Sequence, residues 1–433
     1  MPDTNNNSTL ETNDYATQRV PQSLTVNGFK IGMINGSLAF SVPGLITGIE
    51  VGNGLGFKDS MLAFFIGGLI LSILGAITGL VGRYNRLTSC MTLKFVFGRY
   101  GADIISALFV LALLGWYGVN LDLFSASLTQ LSEQLFAYIP PLIPLEIAIG
   151  VVITITTIWG FKIIEKISNY LVPIFFLLLL YMGYQSFAVL NWETLNSTGN
   201  DTMGFSEAIA IVVGSFIVSV VLMPDFSRFA KTDKDAVTAS FLPFLGISSF
   251  VYIVSAIAGI AVGSNDILNV MLVLGLGSVA LFLLIASSWI TNVINLYSAA
   301  LGTNAIINRW QEKHIVIGMG ILGTVAASLN LLDRFTDFLF SLSIVFTPVA
   351  AIYVVDFFIL RNKRPYQIEA LEHLQKICWV AICAWIAGIM MAISVTRGYF
   401  TISGYEVIDA LVISSLLYIA IKKLKARLLA QKQ

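Results

Sequence analysis

From about residue 28 onward the chain is written in long apolar runs separated by short polar clusters. Runs of eighteen or more apolar residues recur to near the carboxyl terminus, which is the pattern of a polytopic α-helical membrane protein. Twelve spans are predicted, at roughly 29–53, 60–82, 100–130, 139–160, 166–190, 206–226, 239–263, 270–302, 314–331, 336–360, 376–396 and 405–423. The third and eighth exceed what a bilayer requires, so they are expected to tilt or protrude. Residues 1–27 are polar, rich in Asn and Thr, and carry no signal-peptide core, so they are expected to form a disordered cytoplasmic tail.

Two of the spans are interrupted. The stretch Gly32–Gly54 is long enough to cross a bilayer, yet Pro43 and Gly44 stand in its middle. Proline removes a backbone donor and clashes with the preceding turn, so a break or kink is expected there. In hydrocarbon a freed carbonyl costs several kcal/mol unless protein, water or an ion satisfies it. A break that lines a cavity can therefore hold a cation, whereas one packed against neighbours is a plain kink. The sixth span carries Gly214-Ser215 at its centre and Pro224 near its inner end. Interruptions at matching positions in two halves point to a transporter built from inverted repeats. A glycine-rich packing seam accounts for the same residues.

Polar side chains inside the other spans are few. In the third span, Trp116 and Asn120 are four apart and share a helix face. A flat aromatic beside an amide suits a planar ligand with hydrogen-bonding edges, although a single Asn also serves as glue between helices. Phe216, beside the Gly214-Ser215 point, is placed to supply a second aromatic face. In the eighth span Ser288, Asn292 and Asn295 fall at i, i+4 and i+7, with Ser287 and Thr291 alongside. Hydroxyl and carbonyl oxygens suit Na⁺, and an Asn both donates to and accepts from a ring edge. Asp122 is the one carboxylate in the third span's outer part, and charge in a membrane helix tends to be functional.

Composition narrows the class further. Apolar residues make up 57% of 433 and charged residues 12%, with no net charge, which argues against a nucleic-acid partner. Cys90, Cys378 and Cys383 are too scattered for a disulfide framework, and His314 and His373 fall in predicted loops. No span carries a His/Asp/Glu constellation for metal or acid–base catalysis, so neither an enzyme nor a cofactor is expected. No selectivity-filter repeat or charged ring suggests a channel. With the amino terminus inside, 22 of the 25 basic residues fall in predicted cytoplasmic segments, leaving only Lys58, Arg334 and Arg397 outside. That bias supports an even span count with both termini cytoplasmic.

Several blocks together carry a family resemblance. GWYG at Gly115–Gly118, VVGSF at Val212–Phe216, DFSRF at Asp225–Phe229, WITN at Trp289–Asn292 and TPVAAIYVVDFF at Thr347–Phe358 resemble the nucleobase–cation symporter-1 family, its bacterial cytosine permease branch most closely. The resemblance covers most of the chain, from about Gly28 to Leu360. It implies a LeuT-like all-α fold of two inverted five-helix repeats, here 28–190 and 206–360. Two further helices within 376–423 and a basic cytoplasmic tail at 424–433 would follow. It also implies import of a nucleobase or related heterocycle with a cation, Na⁺ or H⁺, across a cell (inner) membrane by alternating access.

By motif match, Trp116 and Phe216 would stack on the ring, with Asn120, Ser215 and Asn292 or Asn295 around it. The cation would lie between first-span carbonyls around Ser37, Phe40 and Ser41 and the eighth span near Ser287, Ser288 and Thr291. Two positions depart from the pattern. Leu113 stands where cytosine permeases of this kind carry Gln, and Ile290 stands where Ser or Thr is typical. The first bears on cytosine as substrate and the second on sodium. Amino acids or quaternary amines are the alternative cargo for the same fold, and a proton with Asp122 as carrier is the alternative coupling ion. Partners beyond substrate and membrane lipid, and the oligomeric state, leave no mark in the residues.

Overall fold

The structure is a computed structural model describing residues 18–431 apart from 197, 201, 308–309 and 330; side chains at 159–172, 194, 305, 312, 429 and 430 are left out. Among the described residues it is helical, with one isolated parallel bridge between Val26 and Ala230 and no sheet. In chain order the helices are α1 (Gly28–Gly36), α2 (Val42–Leu55), α3 (Phe57–Asn85), α4 (Ser89–Phe97), α5 (Arg99–Phe136), α6 (Leu142–Val189), α7 (Trp192–Asn196), α8 (Phe205–Val221) and α9 (Met223–Ser227). Then follow α10 (Asp233–Phe241), α11 (Ser248–Val262), α12 (Ile267–Val273), α13 (Gly277–Ile306), α14 (Glu312–Ala327), α15 (Phe335–Val355), α16 (Trp379–Thr396) and α17 (Glu406–Ala430). A π-helical segment, Leu242–Ile247, welds α10 to α11, and a second, Asp356–Leu360, ends α15.

Six helices are each long and apolar enough to span a bilayer: Phe57–Asn85, Arg99–Phe136, Asp233–Val262, Gly277–Asn304, Phe335–Leu360 and Trp379–Thr396. The pair Gly28–Ala39 and Val42–Leu55, bent by 68°, forms a broken span, and four shorter apolar helices accompany them. This is a multi-pass membrane protein. Its spans follow the hydropathy closely, with three differences. The stretches expected as separate spans at 139–160 and 166–190 belong to one helical run, α6. The front of the expected eighth span is a separate short helix, α12, set off by Gly275 and Gly277, whose φ of 73° and 55° are left-handed. The expected tail at 424–433 continues α17 as helix to Ala430.

The amino-terminal tail is also corrected in part. Residues 1–17 lie outside the described residues, but residues 18–27 are fixed to the body. Val20 is buried and its N–H donates to the Arg86 carbonyl at 3.1 Å, while the Arg19 guanidinium donates to the Tyr366 carbonyl. Val26 exchanges backbone bonds with Phe229 and Lys231 at 2.8 and 3.2 Å, and Asn27 caps α1 through the Lys30 N–H. Two valines and a set of backbone partners thus outweigh the polar composition that suggested disorder.

The break in the first span lies at Ser37–Ser41, where a 3₁₀ turn (Ser37–Ala39) gives way to Phe40 at φ −79°, ψ 54° and an extended Ser41. Pro43 sits in the first turn of α2, where a helix has no use for the missing donor. It therefore starts the outer half rather than breaking a continuous helix. Glycines hold both halves in place. Gly28, Gly32 and Gly36, then Gly44, Gly48 and Gly52, recur every four residues along the side facing α10, the π segment and α11. A Cβ on Gly36 would stand 2.4 Å from Ile247 Cδ1, one on Gly48 2.0 Å from Ser255 Oγ, and one on Gly28 2.2 Å from the Asp235 carbonyl oxygen. This is close backbone packing by small residues, the usual way membrane helices gain van der Waals contact.

The second break, at Leu222 between α8 and α9, is internally satisfied. Its exposed carbonyls at Val220 and Val221 accept from Thr78 Oγ1 at 2.9 Å and Tyr353 Oη at 3.0 Å. Gly214-Ser215, expected as the weak point of this span, is uninterrupted helix. A Cβ on Gly214 would lie 1.8 Å from the Leu339 carbonyl oxygen, so that glycine seats α8 directly on α15. The glycine contacts give a direct check of the packing. Gly48→Val forces backbone of α11 aside, at a cost of about 1–3 kcal/mol or more. It should lower the melting temperature of the purified protein measurably, while Gly318→Ala, inside α14 with nothing within 4 Å of the added carbon, does not lower it.

Candidate functional site

The two breaks border a cavity of about 1030 Å³. One wall is the first span, through Met33, Ser37, Phe40, Ser41, Gly44 and Thr47. α5 contributes Leu113, Trp116 and Asn120; α8 contributes Ser215, Phe216 and Ser219; α11 contributes Tyr252. α13 closes the far side with Ser287, Ile290, Thr291, Asn295 and Ser298. Among the described residues that line it, Lys30 is the one that carries a charge, and it is exposed, at the start of α1.

Trp116 is held edge-on by two rings of α15, Phe335 at 5.9 Å and Phe338 at 5.3 Å between centroids. Aromatic pairs favour this edge-to-face geometry, and it fixes the indole plane relative to the cavity. Gly115 makes it possible, since a Cβ there would stand 2.6 Å from Phe338. Across the cavity Phe216 packs on Phe244 at 5.7 Å. Asn120 donates to the Trp116 carbonyl at 2.8 Å, so its other amide atom is buried without a partner. Ser215 Oγ lies 2.6 Å from both the Val212 carbonyl oxygen and Tyr252 Oη, so its hydroxyl is already engaged. Residues expected at the substrate, Trp116, Asn120, Ser215, Phe216 and Asn295, are thus gathered on one cavity.

Asn292 is not among them. On α13 the polar stripe facing the cavity is Ser287, Thr291, Asn295 and Ser298, spaced by four, four and three. Ser288 and Asn292 lie one residue round the helix, about 100° away, and are fully buried. They share a face with Ala299, which packs on Val110 and Leu114 of α5. Ser288 Oγ and both amide atoms of Asn292 find no partner there. The expected stripe of Ser288, Asn292 and Asn295 therefore mixes two faces, and only Asn295 of the three reaches the cavity.

The same shift revises the cation set. Ser37, Phe40 and Ser41 border the cavity at the break, as do Ser287 and Thr291 opposite, but Ser288 does not. Ser37 Oγ is committed to the Ile34 carbonyl at 2.7 Å. Ser41 makes no side-chain cap to α2, and the Phe40 carbonyl takes none of the backbone bonds that close the two half-helices. Phe40, Ser41, Ser287 and Thr291 thus border one cavity and carry uncommitted oxygens, hard ligands of the kind suited to a small monovalent cation. Asp122 does not line the cavity. Tyr252, Ser219 and Ser298 are cavity residues that the sequence reading passed over. Ser298 was within reach, seven residues beyond Thr291 on one helical face, whereas Tyr252 lies in an apolar helix that marks no face.

A broken membrane helix beside a second broken span, with an aromatic and amide cavity where they meet, is the machinery of a secondary transporter. The chain belongs to the family of permeases for cytosine/purines, uracil, thiamine and allantoin, whose family model matches residues 34–417. It is a transporter and not an enzyme. It is 30% identical over 390 residues to the cytosine permease of Escherichia coli (strain K12), covering 87% of this chain and 88% of that protein. It is 25% identical over 330 residues to the hydantoin permease of Microbacterium maritypicum, covering 69% and 67%. Among solved structures it is similar to the inward-facing form of Mhp1, with a TM-score of 0.84 at 20% identity over 94% of this chain and 93% of that one. It is also similar to Mhp1, a nucleobase-cation-symport-1 family transporter, closed with bromovinylhydantoin bound, with a TM-score of 0.79 at 20% identity. The fold is thus LeuT-like, as the sequence motifs implied.

The register of α13 is open to test without knowing the cargo. With Cys90, Cys378 and Cys383 replaced by Ala, single cysteines at 287, 291 and 295 should react with a water-soluble maleimide in membranes. Cysteines at 288 and 292 should stay protected. Equal labelling of the two groups counts against this placement.

Proposed function

We propose that this permease imports an uncharged planar heterocycle, a nucleobase or a ring of similar size such as a hydantoin, together with Na⁺. The observation that carries the reading is the pair Trp116 and Phe216, brought from α5 and α8 to one cavity with two amides and, among the described residues, no charged group but Lys30 at its exposed edge. An amino acid would leave its carboxylate or ammonium without a counter-charge, and a quaternary amine would meet no carboxylate. Either would cost far more to desolvate than a neutral ring. Leu113, in the same cavity, leaves one ring edge without a polar neighbour, which favours rings that need fewer edge bonds than cytosine. Relatives that carry cytosine and hydantoin in their names support the class without choosing within it.

Coupling to Na⁺ rests on the open oxygens of Phe40, Ser41, Ser287 and Thr291, and proton coupling through Asp122 is disfavoured by its absence from the cavity. The remaining reading is of twelve spans, as two inverted five-helix repeats plus two helices, in a cell (inner) membrane with both termini cytoplasmic. The matched breaks in α1–α2 and α8–α9 and the bias of 22 of 25 basic residues to one side support it.

Uptake of radiolabelled cytosine, uracil, hypoxanthine, hydantoin and leucine by cells expressing the chain tests the cargo. Heterocycle uptake without leucine uptake is expected. Stacking on an aromatic is worth roughly 1–3 kcal/mol per base, so Trp116→Ala should weaken binding of the accepted ring about tenfold to a hundredfold at unchanged surface expression. Unaltered affinity removes Trp116 from the site. For the ion, replacing Na⁺ by choline at fixed pH should abolish uptake. Thr291→Ala should raise the Na⁺ needed for half-maximal uptake by about tenfold, the loss of one charge-assisted contact, while Ser288→Ala and Asp122→Asn leave it near that of the unaltered chain. Full uptake in choline that collapses with the pH gradient identifies a proton symporter instead.

A further inference from the structure

The inner half of the first span ends in a buried amide. Asn35, the last residue but one of α1, is fully buried, and its Oδ1 accepts from Ser219 Oγ of α8 at 2.7 Å. Its Nδ2 faces Met223 Sδ, the first residue of α9, at 3.7 Å. Ser219 borders the cavity and stands one helical turn beyond Ser215. Met223 stands just past the break at Leu222, whose φ of −85° and ψ of 4° interrupt the span. One side chain thus spans the second break from a position two residues before the first begins at Ser37.

The other contacts of α1 run chiefly to α10, the π segment and α9. Its glycines seat it on Asp235, Leu242 and Ile247, and the Val26 bridge ties the preceding strand to Ala230. Apolar packing would hold a leucine at position 35 just as well, and burying an amide is costly unless its bonds are made. What the amide adds is a directed bond to the helix that carries Ser215 and Phe216. We propose that the Asn35–Ser219 hydrogen bond is the positioning link between the cation site and the substrate site. Filling the oxygens at Phe40 and Ser41 shifts the end of α1, and Asn35 passes the shift to the substrate-facing wall of α8. The proposal rests on the Na⁺ symport reading given above.

The test uses Na⁺ alone as the probe, in the full chain with its three native cysteines replaced by Ala and Val218, on the α8 cavity wall, replaced by Cys. The rate of maleimide labelling at 218 is measured in Na⁺ and in choline, and Na⁺ binding is followed separately by thermal stabilisation. Coupling between sites is typically at least about fivefold, so a change of that order in labelling rate is expected with Na⁺. In Asn35→Ala and in Ser219→Ala the change should fall below about twofold, while Na⁺ still stabilises the protein. Ser219→Thr, which keeps the hydroxyl, should restore it.

Ser219 stands at the half-buried cavity wall, so Ser219→Ala carries the test even where Asn35→Ala fails to fold. A labelling response to Na⁺ that survives both alanine variants overturns the link and leaves symport standing. Thermal stabilisation by Na⁺ in the chain with Asn35 and Ser219 intact, without any labelling response at 218, also overturns the link. Absence of both effects in that chain overturns the Na⁺ reading, and the link with it.

Discussion

A carbonyl left open in the membrane must be answered, and the two helix breaks of this permease answer it differently. At the second break, donors from α3 and α15 reach in: Thr78 and Tyr353 occupy the carbonyls of Val220 and Val221. That break is a structural bend, closed on itself. At the first, the short turn satisfies Ser37 and the start of α2 satisfies Ser41, but Phe40 belongs to neither half. Phe40 borders a cavity whose lining includes two residues with uncommitted hydroxyls, Ser287 and Thr291. The asymmetry leaves one of two similar interruptions open to the cation proposed above, which would stand in for a missing donor.

Such a break would be loose if its flanks were loose. The six glycines of α1 and α2 let both halves press directly onto the helical run of α10 and α11, so the position of Phe40 and Ser41 is set by backbone against backbone. The same device recurs at Gly214, where α8 meets the Leu339 carbonyl of α15. Phe335 and Phe338 of α15 in turn steady Trp116. One helix therefore braces both aromatic walls, the indole through its rings and Phe216 through the close seat of Gly214. The span between the clamp residues depends on small residues that touch no ligand.

Much of this was legible in the residues, and the failures share one cause. The positions of the apolar helices follow from hydropathy, because the membrane imposes a length that needs no partner to be read. Trp116, Asn120 and Phe216 followed from motif and spacing. What a helix in lipid does not reveal is which polar stripe faces which neighbour, since lipid, protein and cavity all accept the same small residues. Ser288 with Asn292 and Ser287 with Thr291 are equally good stripes on paper. Only the packing of Ala299 on Val110 and Leu114 assigns the first pair to the α5 seam. Glycine was ambiguous in the same way: Gly214 admitted both a break and a packing seam, and it is a seam. Likewise the polar tail hid Val20 and Val26, two apolar residues whose partners lie far away in sequence at Arg86 and Phe229.

On the function proposed above, the scarcity of charge among the described cavity residues acts as a selectivity device. A ring that enters exchanges water for aromatic faces, and its edge must find the few polar atoms still open there. Asn120 keeps one amide atom buried and unpartnered, and Asn295 likewise leaves its Nδ2 without a bond, so each is costly until something supplies a partner. Ser215, by contrast, is already satisfied by Val212 and Tyr252 and offers little. On that reading, binding energy would come from an apolar clamp common to any flat ring, and discrimination from two unsatisfied amides at its rim. Within one family, changing the residues beside those amides, as Leu113 does here, alters which ring is accepted while the clamp, the breaks and the glycine packing stay as they are.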